Sequence, residues 1–126
     1  MKNLKNVLIQ RSAKIKQAIQ LLDQNSMQIV LVVDEKDRLL GTITDGDIRR
    51  GILKGLTLES KVIEIMNTQP LSVRASEDKK DVIHKMRERQ IRQVPLVDSV
   101  GKVVGLELIE DLLKPETHEH CAVIMA

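Results

Sequence analysis

The sequence predicts a mixed α/β (α+β) fold built from two copies of one small unit, packed about a pseudo-twofold axis. The first observation is an internal repeat: when Gly41 is aligned with Gly105, 64 residues later, identities and apolar positions match along both copies without gaps. The second observation is that short β-branched runs alternate with segments of helical periodicity. One copy is too short to bury a stable core, so we expect the two to fold together.

The first copy begins with a helix whose apolar residues recur at helical spacing: Ile15, Ala18, Ile19 and Leu22. Ser12 is placed to cap this helix. The run IVLVV at 29–33 predicts a buried strand, and RLLGTIT at 38–44 predicts a second strand after a polar turn. Residues 45–54 then predict a closing helix.

The second copy repeats this order. Ser76 is placed to cap a helix that carries apolar Val82, Ile83 and Met86. QVPLV at 93–97 and KVVGLEL at 102–108 predict two strands, and IEDLLK at 109–114 predicts the closing helix. Pro95 cannot donate a backbone hydrogen bond, so it predicts a sheet edge or a bulge.

The segment between the copies predicts a short helix from about Leu58 to Met66, then a turn at Pro70 and a brief extended piece at 71–73. We therefore assign residues 1–58 to repeat 1 and residues 59–114 to repeat 2. Residues 115–126 are expected to be a linker and the start of a further, C-terminal domain.

Composition excludes several classes of protein. The chain has 126 residues, 42% of them apolar and 30% charged, as in a globular protein. The net charge of +2 and the absence of Phe, Tyr and Trp disfavour nucleic-acid binding, which usually uses basic surfaces and aromatic stacking. A basic cluster fits a solvated helix face better than a binding patch: Lys85, Arg87, Arg89 and Arg92.

The predicted location is the cytoplasm. Cys121 is the only cysteine, which excludes an internal disulfide and fits a reducing compartment. The N-terminal apolar stretch, residues 7–9, is far shorter than a secretory signal requires. No apolar run is long enough for a membrane span, so no membrane partner is expected.

The segment GTITDGDIRR, residues 41–50, places polar side chains where the second strand meets the closing helix of repeat 1. The free amides and the dipole of a helix N-terminus suit a phosphate. Thr44 can donate to a phosphate, and Asp47 can accept from the paired hydroxyls of a ribose. Arg49 or Arg50 can add charge-assisted bonds. The same spacing also fits a helix capping box in which Thr44 and Asp47 bind no ligand.

The pattern G-h-h-T-x-x-D-h at 41–48, inside a repeated unit and followed by KVIEIMNTQPLSVRASED at 61–78, resembles a tandem cystathionine β-synthase (CBS) domain pair. The resemblance implies two β-α-β-β-α repeats whose clefts bind adenosyl compounds, with Thr44 at the phosphate and Asp47 at the ribose. It also implies a homodimer and a sensing role without catalysis. The nucleotide-binding residues that it implies are Thr44, Asp47, Ile48, Arg49, Ile29 and Val30.

The second repeat departs from this pattern. Asp111 keeps the ribose position, but Leu108 stands where Thr44 does and Glu107 replaces Ile43. An apolar Leu108 offers a phosphate no hydrogen bond, and Glu107 brings negative charge near it. We expect one competent cleft and one degraded cleft.

The end of the chain carries two further patterns. His118, His120 and Cys121 lack the paired spacing of a zinc site, so no metal is predicted and a linker is expected. AVIMA at 122–126 resembles the first strand of sugar-nucleotide nucleotidyltransferases, where a glycine-rich loop would follow. The chain is therefore expected to be the N-terminal regulatory part of such an enzyme.

The predicted function is a regulatory module that binds an adenine nucleotide (AMP, ADP or ATP) and modulates an attached sugar-phosphate nucleotidyltransferase. No catalytic residue is predicted, because His84 stands alone on a helix and no nucleophile is paired with a base. Two alternatives stay open. One is a ligand-free dimerisation module, and the other is a Mg²⁺ sensor that uses four carboxylates: Asp34, Asp37, Asp45 and Asp47.

Overall fold

The computed structural model describes residues 6–24 and 28–113. Repeat 1 contains β1 (Leu8–Gln10), α1 (Ile15–Gln24), β2 (Val30–Val33), β3 (Leu39–Ile43) and α2 (Asp45–Leu53). Repeat 2 contains α3 (Lys79–Arg89), β4 (Gln93–Val97), β5 (Val103–Leu108) and α4 (Ile109–Leu113). The predicted mixed α+β order is confirmed, because Val73 bridges β4 at Leu96 in parallel and so completes a β-α-β-β-α order in repeat 2.

Each repeat has its own sheet. In repeat 1, β2 is central, parallel to β1 and antiparallel to β3. In repeat 2, β4 and β5 form an antiparallel pair. The register shifts between Val32 and Val33 in one sheet and between Leu96 and Val97 in the other, which are equivalent positions. The irregularity expected near Pro95 is therefore present one residue later, and it occurs in both repeats.

The core explains why the β2 run is wholly apolar. Successive side chains of a strand lie on opposite faces of its sheet. Val30 and Val32 pack with α1 and α2, while Leu31 and Val33 pack on the other face against Val103 of repeat 2. All four β2 residues are fully buried. The second cluster thus joins the two repeats, as their small size requires.

The two turns that follow β2 and β4 contact each other through equivalent residues. Arg38 and Lys102 form an antiparallel bridge. The amide of Leu39 donates to the Gly101 carbonyl, and the amide of Val103 donates to the Asp37 carbonyl, each at 2.9 Å. These bonds are reciprocal, because the donors and the acceptors are each 64 residues apart. Local twofold symmetry relates the turns.

Three local predictions are wrong. The helix α1 begins at Ile15, so Ser12 does not cap it, and the Gln17 side chain accepts from the Lys14 amide instead. The cap of α3 is Asp78, whose carboxylate accepts from the amide of Lys80, and not Ser76. The third is the helix expected in the connector, the segment at residues 57–73 between the two repeats.

The connector forms only a short 3₁₀ turn, Val62–Glu64, in place of the helix expected at 58–66. Its backbone bonds to the start of α1 as well as within short turns of its own. The Ser60 carbonyl accepts from the Ile15 amide at 2.8 Å, and the Val62 amide donates to the Ala13 carbonyl at 2.9 Å. Tertiary pairing of the backbone has replaced the local helix.

Candidate functional site

A cavity of about 510 Å³ lies between the two repeats, a volume typical of small-molecule sites. Repeat 1 contributes the β3–α2 junction and the residues just before β2. Repeat 2 contributes the end of α3 and the start of β4, and the connector adds Asn67, Pro70 and Leu71. The cavity is therefore lined by both repeats, and a ligand in it would contact both.

The junction of β3 and α2 is held by Asp47. One carboxylate oxygen, Oδ2, accepts from the Thr44 amide at 2.9 Å and from the Thr44 hydroxyl at 3.2 Å. The Asp47 side chain is 15% exposed, and both residues line the cavity. Asp47 thus makes the carboxylate contact of a capping box and also lies at the cavity wall. Capping of α2 and ligand binding by Thr44 and Asp47 are therefore compatible.

Arg50 completes the charged side of the junction. Its guanidinium donates to the other Asp47 oxygen, Oδ1, at 2.8 Å, and its side chain is 65% exposed. Residues three apart on a helix share a face, so Asp47 and Arg50 both line the cavity. Arg49 is exposed and is not among the lining residues.

The opposite wall comes from repeat 2. Arg89 and Arg92 bring positive charge, and Gln90 ends α3 in the left-handed conformation at φ 58°. Arg92 also approaches Glu110 at 3.4 Å. The contact with Arg92 helps to lower the pKa of the Glu110 carboxyl, after the larger effect of its own backbone amide. This wall thus places two arginines at the cavity, one of them beside a carboxylate.

Much of the remaining lining is aliphatic, beside polar residues that also line the cavity: Gln28, Thr42, Asp45, Asn67 and Gln93. Ile29, Pro70, Leu71, Ile91 and Pro95 face the cavity, and Ile29 and Pro95 are buried. A planar apolar group would be held by such side chains through packing alone, as the absence of aromatic residues requires. The cavity therefore combines an apolar side, two carboxylates (Asp45 and Asp47) and several cationic groups.

The predicted residues of the first cleft separate into two groups. Ile29, Thr44 and Asp47 line the cavity, whereas Arg49 does not. Val30 is fully buried in the core because it lies on the face of β2 opposite to Ile29. Ile48 also packs in that core, because it is one step around α2 from Asp47.

Sequence reasoning missed most of the repeat 2 wall. The sequence predicts a solvated helix face for the basic cluster near the end of α3, yet Arg89 and Arg92 lie at the cavity. The spacing of three between Asp47 and Arg50 was the signal that separates Arg50 from Arg49. Nothing in the linear sequence indicates that residues 89–93 approach residues 44–50.

The predicted second cleft has a different local structure. Leu108 ends β5 opposite Gln93, and Glu107 lies opposite Val94. Asp111 lies in α4, which has only five residues and no buried side chain. Neither Leu108 nor Asp111 lines the cavity described above.

Metal ligands are not brought together in residues 6–24 and 28–113, where no three His, Cys, Asp or Glu side chains form a group able to hold an ion. Asp34, one of the four carboxylates considered for Mg²⁺, accepts from the amides of Lys36 and Arg38 at 2.9 Å and from the Arg38 guanidinium at 2.8 Å.

His118, His120 and Cys121 lie outside the described residues, as does the AVIMA segment. Among the helices of the described part, none is long and apolar enough to cross a bilayer.

Comparison with known proteins identifies the family. The CBS domain family matches the chain twice, at residues 3–54 and 62–114. The chain belongs to the CBS domain family. A CBS pair is a regulatory, non-catalytic module that occurs beside partners of varied function, and the two matches coincide with the two repeats of the fold.

Relatives show the range of these partners and ligands. Arabinose 5-phosphate isomerase GutQ of Shigella flexneri is 30% identical over 100 residues, which are 79% of this chain and 31% of GutQ. The CBS pair of MJ0100, solved with 5′-methylthioadenosine and S-adenosylmethionine, is 27% identical with a TM-score of 0.74 over 84% of this chain and 87% of that one. CBSX2, solved with AMP, is 25% identical with a TM-score of 0.72 over 86% and 85%. The chain spans about a third of the length of the curated relatives it matches.

Proposed function

We propose that this chain is a regulatory module that binds an adenine nucleotide (AMP, ADP or ATP) in the cavity between its repeats. The observation that carries the proposal is the composition of that cavity. Asp47 suits a ribose, the start of α2 with Arg50, Arg89 and Arg92 suits phosphate, and the aliphatic side suits a purine. CBS pairs solved with AMP and with S-adenosylmethionine support this assignment.

The regulatory effect follows from where the ligand binds. Thr44 and Asp47 belong to repeat 1, while Arg89 and Arg92 belong to repeat 2. A nucleotide that contacts both walls favours the arrangement in which the repeats are packed together. It can change an attached domain only by the difference in its affinity for the two states of that domain.

We further propose that the attached domain is a sugar-phosphate nucleotidyltransferase in cis. The support is the similarity of residues 122–126 to the first strand of those enzymes. Reading the parent gene beyond residue 126 tests this directly. A glycine-rich nucleotide-binding loop there would support the proposal, and an isomerase or transporter sequence would contradict it.

The proposed assembly is a homodimer. Its support is the exposed apolar surface of α2, where Ile52 is 44% and Leu53 80% exposed. Burying such residues against a second copy would be favourable. Sedimentation of the chain, with Leu53→Ser as the variant, tests this. A wild-type monomer at all concentrations would contradict it.

The cytoplasmic location stays a prediction.

The test of nucleotide binding uses the absence of aromatic residues. The purified chain, with no Trp, Tyr or Phe, is nearly transparent where adenine absorbs. An adenine absorption band that co-elutes with the protein in gel filtration, and is released by acid, would show a bound nucleotide. Chromatography of the released compound then identifies it.

A chain without this band is incubated with AMP, ADP, ATP and guanine nucleotides and measured again. If none of them binds, the nucleotide proposal fails and the ligand-free interaction module takes its place. A rise in melting temperature with Mg²⁺ alone would instead favour the Mg²⁺ sensor. The three outcomes are distinct, and each assigns one function.

A further inference from the structure

The Asp47 carboxylate that is proposed to bind a ribose accepts three hydrogen bonds from the protein itself. A carboxylate offers about four lone-pair positions for hydrogen bonds. Oδ2 accepts two bonds from Thr44, and Oδ1 accepts one from Arg50. The two hydroxyls of a ribose need two acceptor positions together. One position, on Oδ1, is left, so both hydroxyls can bind Asp47 only when another donor releases it, and the exposed Arg50 side chain shares Oδ1 with that position.

The Arg50 guanidinium also covers the first turn of α2. Its Nη1 lies 3.3 Å from the point where a Cβ of Gly46 would be, so the group is packed over the helix N-terminus. A cation is unfavourable at the positive end of a helix dipole, whereas an anion is favourable there. Arg50 therefore stays at this place because of Asp47, and it lies where an incoming phosphate would approach.

We propose that Arg50 is a specificity residue that makes the cavity select phosphorylated nucleosides over unphosphorylated ones. An unphosphorylated nucleoside that binds Asp47 through its ribose breaks the Arg50 pair and gives the guanidinium no new partner. A nucleotide breaks the same pair but supplies a phosphate to which the guanidinium can donate. This inference rests on the proposed function, since it assumes that the ribose binds Asp47.

A purely structural ion pair would behave differently. Exposed pairs at this spacing on a helix contribute little to stability, and Arg50 is 65% exposed. Loss of such a pair would shift the affinities for all ligands together, through a small change in the stability of α2. If Arg50 determines specificity, its loss should instead strengthen the binding of adenosine and weaken the binding of AMP.

The experiment is titration calorimetry of the 126-residue chain with adenosine and with AMP, for the wild type and for Arg50→Gln. The variant should bind adenosine about two- to fivefold more tightly, because an exposed competitor for Asp47 is gone. It should bind AMP about tenfold more weakly, because a charged donor to the phosphate is lost. The preference for AMP over adenosine then narrows by at least about tenfold.

Arg49→Gln is the matched control, because it removes the same charge one residue away from a side chain outside the cavity. Its preference for AMP over adenosine should equal that of the wild type. Circular dichroism melting of both variants verifies that α2 is folded.

Two results separate the inference from the function on which it rests. If the wild type binds AMP but Arg50→Gln weakens adenosine and AMP by the same factor, the specificity role is wrong and the nucleotide site stands. A change of preference in Arg49→Gln alone would also overturn the role of Arg50. If the wild type binds neither compound, and neither ADP nor ATP, the proposed function itself fails.

Discussion

Gly41 approaches Asn67 so closely that a Cβ at Gly41 would lie 2.6 Å from the Asn67 carbonyl oxygen. The connector is held there by two backbone bonds, in which Thr42 and Asn67 donate to each other's carbonyl at 3.2 and 2.8 Å. The equivalent Gly105 has more space, because its nearest neighbour is the flexible end of Leu96 at 3.3 Å. The first repeat therefore needs glycine for packing at this position, and the second does not.

Gly41→Ala should destabilise the chain by about 2 kcal/mol, in the range of overpacked cores, because a backbone carbonyl cannot move aside as a side chain can. Gly105→Ala is the matched control, and its expected cost is below about 1 kcal/mol. Urea unfolding of both variants measures the difference. Equal losses of stability would mean that the connector gives way at Asn67 and that the close approach is not a constraint.

The repeat made much of this fold predictable. Equivalent positions such as Asp34 and Asp98 each accept from two turn amides, and the same offset places both hairpins. The apolar run of β2 predicted its burial on both faces because no polar residue interrupts it. Local rules failed at Ser12 and Ser76, where each helix begins two residues later than capping by the serine would place it.

The cavity was only half predictable, for a physical reason. Thr44 and Asp47 were found because a helix N-terminus is a local feature with a local motif. Arg89 and Ile91 come to the cavity through the packing of repeat 2 on repeat 1, and no local pattern encodes that contact. The connector could not be predicted either, since backbone bonds to the start of α1 and to β3 hold it in place of a continuous helix.

Asp34 is expected to make the stability of the fold depend on pH. The Arg38 amide lowers the pKa of the Asp34 carboxyl, burial opposes this, and the Lys36 amide and the Arg38 guanidinium lower it further. A carboxyl whose pKa is lower in the folded state stabilises the fold above its unfolded pKa, about 3.9, and this stabilisation is lost as the pH falls through the folded value. Wild-type stability should therefore decrease on acidification below about pH 4.

Asp34→Asn should be less stable than the wild type near neutral pH and should depend less on pH in the acid range. Its amide oxygen can still accept a turn amide, but it carries no charge to pair with Arg38. Urea midpoints measured from neutral to acidic pH test this. Parallel curves for the two proteins would assign the acid sensitivity to other carboxyls, such as Glu77, whose pKa is lowered by its hydrogen bond to Lys85.

Asp47→Ala should remove the contribution of the ribose hydroxyls to binding. The wild type should bind AMP about 1 to 3 kcal/mol more tightly than 2′,3′-dideoxy-AMP, because the hydroxyls donate to a carboxylate. In the variant the two ligands should bind equally. Comparing ligands within one variant cancels the loss of the bond to the Thr44 amide, which weakens the α2 start for both. A preference for AMP that survives in Asp47→Ala would place the ribose elsewhere in the cavity.

Arg89 tests whether the ligand joins the two repeats. If AMP contacts Arg89 while it is held by the α2 start of repeat 1, binding should raise the melting temperature of the whole chain. Arg89→Gln should bind AMP more weakly by about 1.5 to 3 kcal/mol and show a smaller rise, whereas any rise with adenosine should stay the same.

Arg87→Gln is the matched control for Arg89→Gln, because Arg87 lies on the same helix, is exposed and is not among the cavity residues. Its melting temperature should rise with AMP as much as that of the wild type. Equal losses in Arg87→Gln and Arg89→Gln would show that only the general positive field of α3 attracts the phosphate. A full rise in Arg89→Gln would mean that Arg89 does not bind the phosphate, and the ligand would then not hold the repeats together through this residue.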